Sequence, residues 1–183
     1  MILEQADHPF RPADADVLRR VARLRELRLG DRPEQAFDEF AQAMAEAAET
    51  PLAMVNFLRE DLQYFAGLHA PEFVQGGPGT LAAADDPSRF MTMDQGWCPH
   101  VVSLRLARVL DDVYAYPRFS GNPVVDQFGI RAYMGAPLID STGTVLGTVC
   151  VVDAKRRAWG RNGLGFIKDR AAEMIEIINQ RRL

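Results

Sequence analysis

The sequence predicts an α+β domain: an antiparallel sheet with amphipathic helices on one face and a loop-rich cap, holding a short helix, on the other. Three observations lead there. Two pairs of apolar, strand-like runs, 52–58 with 62–68 and 130–138 with 144–152, are each joined by a short turn-type connection, which implies hairpins. Helix-period segments stand at both ends of the chain, and their apolar stripes must be buried against a sheet face. Between the hairpins lies a stretch rich in Gly, Pro and Asp that has to cover the opposite face.

The elements follow in order. Residues 1–12 carry two prolines and read as a flexible lead-in, and residues 13–183 as a single domain. Over 13–29, Val17, Val21, Leu24 and Leu27 recur at three- and four-residue intervals, the period of an amphipathic helix that Gly30 stops. Asp31 and Pro33 open a second helix, whose buried stripe is Phe37, Phe40, Ala41, Met44 and Ala48, and Thr50-Pro51 ends it. After the first hairpin, 70–93 reads as a long loop, with Gly76-Gly77-Pro78-Gly79 as a flexible turn. A short helix is expected over 96–104 with Cys98 before its start and Pro99 in its first turn, then a strand over 106–111 and an irregular cap over 112–128. The second hairpin turns through Asp140-Ser141-Thr142-Gly143. From about residue 162 a last helix places Leu164, Ile167, Ala171, Met174, Ile175 and Ile178 on one face.

Composition narrows the function classes. A chain of 183 residues should bury about 70% of its unfolded surface without metal or disulfide staples. Apolar residues at 48% and charged ones at 25% are ordinary for a globular domain. A net charge of −4 argues against nucleic acid and anionic membrane as partners. The arginines 19, 20, 23, 25 and 28 intersperse an apolar stripe and read as a solvated helix face. No apolar run approaches the roughly 20 residues of a membrane span. Residues 1–7 lack a basic start before an apolar core, so no secretory signal is expected and a cytoplasmic location is.

The strands suggest a ligand wall. Side chains alternate faces, so Arg131 and Tyr133 share one side of their strand while Ala132, Met134 and Ala136 share the other. Asn56 breaks an apolar strand in the same way, and Thr148 shares a face with Cys150. If register aligns these faces, Asn56, Arg131, Tyr133 and Thr148 converge beneath the cap. A buried arginine needs a counter-charge. It would find one in an anionic ligand or in an internal acid such as Asp111, Asp112 or Asp126.

Taken together, Arg23-Leu24-Arg25-Glu26-Leu27, Phe37-Asp38, Pro51-Leu52-Ala53-Met54-Val55, Gly96-Trp97-Cys98-Pro99-His100, Pro117-Arg118-Phe119, Asn122-Pro123 and the two late strands resemble a GAF domain, of the branch found in bacterial sensor histidine kinases and diguanylate cyclases. The resemblance runs from about residue 23 to 182. It implies a GAF-like (PAS/profilin-like) antiparallel sheet of about six strands, terminal helices on one face, and a small-molecule pocket on the other. It also implies that the terminal helices pair two copies into a homodimer. The expected ligand-binding residues are Asn56, Trp97, Cys98, His100, Phe119, Arg131, Tyr133 and Thr148. Family members that reduce free methionine sulfoxide place an attacking cysteine before the strand at Ile130, where this chain has Val124-Val125-Asp126-Gln127-Phe128. The Cys-His pair by which phytochrome-type members attach a bilin is likewise missing, so no covalent bilin is expected.

Other chemistries have thinner support. Cys98 at a helix start would feel the positive end of the backbone dipole, which favours thiolate, and His100 would assist if the backbone turned it back. The competing reading is that Cys98, like Cys150 in its apolar strand, simply packs. Cys98, His100 and Asp94 give three metal ligands at poor spacing, so no metal is expected. His69 or His100 is the axial candidate for haem. There is no Gly-x-Ser-x-Gly elbow and no phosphate-loop Lys-Ser/Thr. The chain is therefore expected to be a non-enzymatic sensory or regulatory module that binds a small molecule and signals through its dimer or a signalling-protein partner. The alternatives are a thiol-based redox sensor or enzyme using Cys98, and a ligand-free dimerisation module.

Overall fold

The computed structural model describes residues 10–71, 82–83, 86–87 and 89–181. The lead-in residues 1–9 and the glycine-rich turn at 76–79 lie outside them. Helix α1 spans Val17–Glu26 and α2 spans Gln35–Ala48, which Glu49 ends in a left-handed conformation just before Thr50-Pro51. Strands β1 (Leu52–Leu58) and β2 (Leu62–His69) form the first hairpin, and β7 (Ala132–Ile139) and β8 (Val145–Asp153) the second. β1 pairs with β8, so the hairpins join at the centre of a six-stranded antiparallel sheet ordered β5-β2-β1-β8-β7-β6. The edge strands are β5 (Phe90–Thr92) and β6 (Arg108–Leu110). Helix α6 spans Gly160–Gln180 and packs on β7 and β8.

Two stretches are more regular than their sequence suggested. The segment read as one loop contains β5, paired with β2, and a separate two-stranded ladder of β3 (Ala82–Ala83) with β4 (Asp86–Pro87). The expected short helix is α3 (Cys98–Leu104), and the stretch read as irregular holds a 3₁₀ turn (Val113–Ala115), α4 (Pro117–Ser120) and α5 (Pro123–Phe128). Proline opens α4 and α5, the Asn122 side chain caps Val124 N–H, and Gly129 ends α5 left-handed. These are ordinary start and stop signals, compressed into segments too short to show a hydrophobic period.

Alternation along the strands divides the interior into two layers. Toward the helices lie Phe37, Met44, Val55, Phe57, Met134, Leu138, Val149, Val151, Ile167 and Met174. Toward the cap lie Leu52, Met54, Leu58, Phe65, Trp97, Val101, Phe119, Tyr133, Cys150 and Val152. Because both faces are covered, every residue of β1 and β8 is buried.

The α1 arginines are not one solvated face. Arg19, Arg25 and Arg28 are exposed, but Arg20 is fully buried, with Nε donating to the Leu58 carbonyl at 3.0 Å and the guanidinium paired with Asp14. Arg23 Nε meets Asp140 Oδ2 at 2.6 Å. Burying one face of α1 against the sheet forces any cation on that face to find an acceptor there. Among the described residues, no helix is long and apolar enough to cross a membrane.

Candidate functional site

Polar groups gather on the cap-facing side of the three central strands. In register, Asn56 of β1 stands opposite Thr148 of β8, and Met54 opposite Cys150. On β7, Gly135 stands opposite Cys150. The Tyr133 phenol lies along its own strand over Gly135: a Cβ at 135 would fall 2.1 Å from Tyr133 Oη. The missing side chain is what lets the phenol reach the middle of the layer. From above, α3 begins at Cys98 and lowers its thiol onto this group. Cys98 Sγ lies 3.3 Å from Tyr133 Oη and 3.7 Å from Cys150 Sγ. The Trp97 ring leans on that of Tyr133, with centroids 5.2 Å apart.

A hydrogen-bond frame holds the approach to α3. Asn56 Nδ2 donates to Gln63 Oε1 at 2.9 Å, and Gln63 Nε2 donates to the carbonyls of Thr92 (2.8 Å) and Gln95 (2.7 Å). Asn122 clamps the turn before Trp97: its Oδ1 accepts from Gly96 N–H at 2.9 Å and its Nδ2 donates to the Gly96 carbonyl at 2.8 Å. Gln63 and Asn122 were not among the expected site residues. Gln63 carries no signal of its own within the run 62–68, and Asn122 enters the sequence reading only through the Asn122-Pro123 piece of the resemblance.

Four buried polar atoms on the cap side have no hydrogen-bond partner: Asn56 Oδ1, Thr148 Oγ1, Trp97 Nε1 and, beside Phe119, Arg108 Nε. Burying such an atom unpaired costs about 1–3 kcal/mol.

The surroundings push the two thiols in opposite directions. The neighbouring Cys150 thiol, with Thr148, Tyr133 and Asn56, stabilises a Cys98 thiolate and outweighs the penalty of burial, drawing its pKa down to about 6. Cys150 is pushed well above the usual thiol range by its hydrogen bond to Cys98 and by burial. Burial, then the charge on Cys98, raises Tyr133 well above an ordinary phenol. The groups that favour the thiolate come from three strands, and Cys98 lies inside the first turn of α3 rather than before it.

His100 does not turn back to the thiol. It is buried edge-on against Phe119, centroids 5.6 Å apart, and the Arg108 guanidinium sits 4.8 Å from the centre of the Phe119 ring. Burial, aided by the nearby charges of Arg118 and Arg108, lowers the His100 pKa to about 4. His69 pairs with Ala53 at the end of β2 and so faces the helix-side layer, opposite to His100.

Arg131 corrects the expected wall. The β7 ladder begins at Ala132, so Arg131 lies just outside the alternation that was to aim it inward. Its Nη2 meets Asp112 Oδ2 at 2.8 Å, its Nε lies 3.2 Å from Oδ1, and its guanidinium stacks 4.4 Å from the Tyr114 ring centre. At 37% side-chain exposure it is a rim residue serving the 3₁₀ turn. Of the eight expected residues, Asn56, Trp97, Cys98, Tyr133 and Thr148 come together; His100 and Phe119 form a separate pair, and Arg131 stands apart.

Comparison with known proteins places the fold. The GAF domain family profile matches residues 32–178. A cyclic di-GMP phosphodiesterase of Pseudomonas aeruginosa is 26% identical over 144 residues, covering 78% of this chain but 21% of that protein. The chain thus spans about a fifth of the length of the curated relative it matches. Among solved structures, the GAF domain of an Acinetobacter phosphoenolpyruvate-protein phosphotransferase superposes with a TM-score of 0.59 at 13% identity, covering 91% of this chain and 95% of that one. A free methionine-R-sulfoxide reductase of Neisseria meningitidis gives 0.58 at 16% identity, with 93% of each chain covered. With the six-stranded antiparallel sheet, its helix-covered face and its capped face, the profile match shows that the chain belongs to the GAF domain family.

Proposed function

We propose that this GAF domain is a sensory and regulatory module that takes a small, neutral, polar molecule between its cap and the centre of its sheet. One observation carries the reading: Asn56 Oδ1, Thr148 Oγ1 and Trp97 Nε1 are buried together in an otherwise apolar layer without partners. A molecule offering both a donor and an acceptor would recover the cost of those groups. Arg131, the cation expected there, is committed to Asp112 at the rim, and the Arg108 guanidinium lies on the Phe119 ring. Trp97, Tyr133, Phe65 and Phe119 fill much of the layer, so entry requires the short cap helices to lift. A ligand then shifts the cap only as far as its affinity differs between the closed and lifted arrangements.

The test is a fragment screen of small neutral polar compounds, read by thermal shift and by amide correlation spectra. Binders should raise Tm and move the amide signals of α3 and α5 in the native chain. The double variant Asn56→Leu, Thr148→Val should lose both effects. Binders that act equally on the double variant, or a screen without binders, would sink this reading.

A second reading, self-association, has its own observation. A groove of about 580 Å³ between α6 and the β6–β7 edge is lined by Leu106, Ala107, Pro137, Ala171 and Ile175, with Leu106 64% exposed. A second copy seated there would engage the last helix, and the output would pass through that contact or a signalling partner. Sedimentation equilibrium of the native chain against Leu106→Glu decides it: a dimer that the substitution dissociates supports it, and two monomers reject it.

A further inference from the structure

We propose that Cys98 and Cys150 are a buried dithiol which a small peroxide converts to an intramolecular disulfide, tying α3 of the cap to β8 of the sheet. The two are 52 residues apart in sequence, yet their sulfurs lie 3.7 Å from each other. Both are held by regular elements, and since a disulfide has an S–S separation of about 2.0 Å, the bridge requires the sulfurs to approach by roughly 1.7 Å more. Tyr133 Oη at 3.3 Å supplies a hydroxyl beside the Cys98 sulfur. The unpartnered Asn56 and Thr148 oxygens stand one register step along the sheet from Cys150 and offer hydrogen-bond sites to a molecule as small as hydrogen peroxide. Position assigns the roles: Cys98, on the cap helix and beside the Tyr133 hydroxyl, is the attacker, and Cys150, beneath it on the central strand, is the thiol that resolves.

The chemistry balances in two steps. The Cys98 thiolate attacks one peroxide oxygen; an S–O bond forms, the O–O bond breaks, and the departing hydroxide takes a proton to leave as water. Cys150 then attacks the Cys98 sulfenic acid; the S–S bond forms, the S–O bond breaks, and a second water leaves with the Cys150 proton. The two thiols lose two electrons, which reduce the peroxide. An external thiol reverses the change.

The chain has only these two cysteines, so an intramolecular disulfide can be no other. The full chain is treated with hydrogen peroxide, unfolded in an alkylating reagent and weighed intact. We expect a monomer lighter by about 2 Da that takes up no alkyl group, and its full alkylation after dithiothreitol. Cys150→Ser should accumulate a dimedone-trapped sulfenic acid at Cys98. Cys98→Ser should consume peroxide more slowly by on the order of tenfold, since the activated thiolate is gone. Far-UV circular dichroism confirms that each variant is folded, and Cys→Ala replacements repeat the test should a serine variant fail to fold. The proposal is overturned if both thiols remain alkylatable under conditions that oxidise free cysteine, or if the only bridge links two chains. Fragment screens run in dithiothreitol are independent of this result, so either idea can fail alone.

Discussion

His100 is a buried imidazole with two arginines nearby, and this makes it a stability switch at mildly acid pH. Its folded pKa of about 4 lies below the ordinary value near 6.5, so the unfolded chain binds the proton more readily. The stability that depends on a neutral His100 is complete above about pH 6.5 and is lost as pH falls toward 4, by roughly 3 kcal/mol for a shift of that size. Urea unfolding between pH 7 and 4.5 should show the midpoint falling. In His100→Phe, which keeps a ring against Phe119, the curve should flatten over that window. An unchanged slope would mean that His100 is not the titrating group.

Elements are set against one another by how closely their backbones meet. Gly67 of β2 is where α2 lands: a Cβ there would sit 2.3 Å from the Phe37 carbonyl oxygen, a backbone atom that cannot swing aside. Gly67→Ala should push α2 off the sheet and destabilise by about 1–3 kcal/mol or more. Gly165, on the outer face of α6, meets nothing within 4 Å. Gly165→Ala should instead stabilise the helix by about 0.5–1 kcal/mol. Denaturant titration of the two variants checks both directions at once. Equal effects would contradict the packing described for α2.

At the scale of the molecule, Asp140 joins the start of the chain to its second hairpin. It accepts from Arg23 of α1 and from the N–H groups of Thr142 and Thr144 in the β7–β8 turn. Burial opposes its charge, but these bonds and the Thr142 hydroxyl prevail and hold its pKa below the usual carboxylate value. The stability it contributes is therefore full above about pH 4 and is lost as pH falls below that, a window separate from that of His100. Asp140→Asn should lower the urea midpoint at pH 7 and weaken its dependence on pH below 4. An Asn variant that loses stability in acid as steeply as the native chain would refute the role.

Periodicity and turn residues alone identified the antiparallel α+β layout, both hairpins, the flanking helices and the cap as a separate cover, because each is written in local spacing of apolar side chains. The short helix α3 was legible, but α4, α5 and strand β5 escaped, since a segment of three to six residues completes too little of any period to be read. Strand alternation also placed Asn56, Tyr133 and Thr148 on the side where the structure has them, whereas Arg131 sits at a strand end where alternation no longer applies and takes the internal acid Asp112 as its partner. Nothing local could pair Cys98 with Cys150 or identify Gly135 as the space for the Tyr133 ring. Those contacts exist because β1, β8 and β7 happen to lie side by side under α3, and adjacency across a sheet depends on strand order and register, which no single stretch of chain encodes.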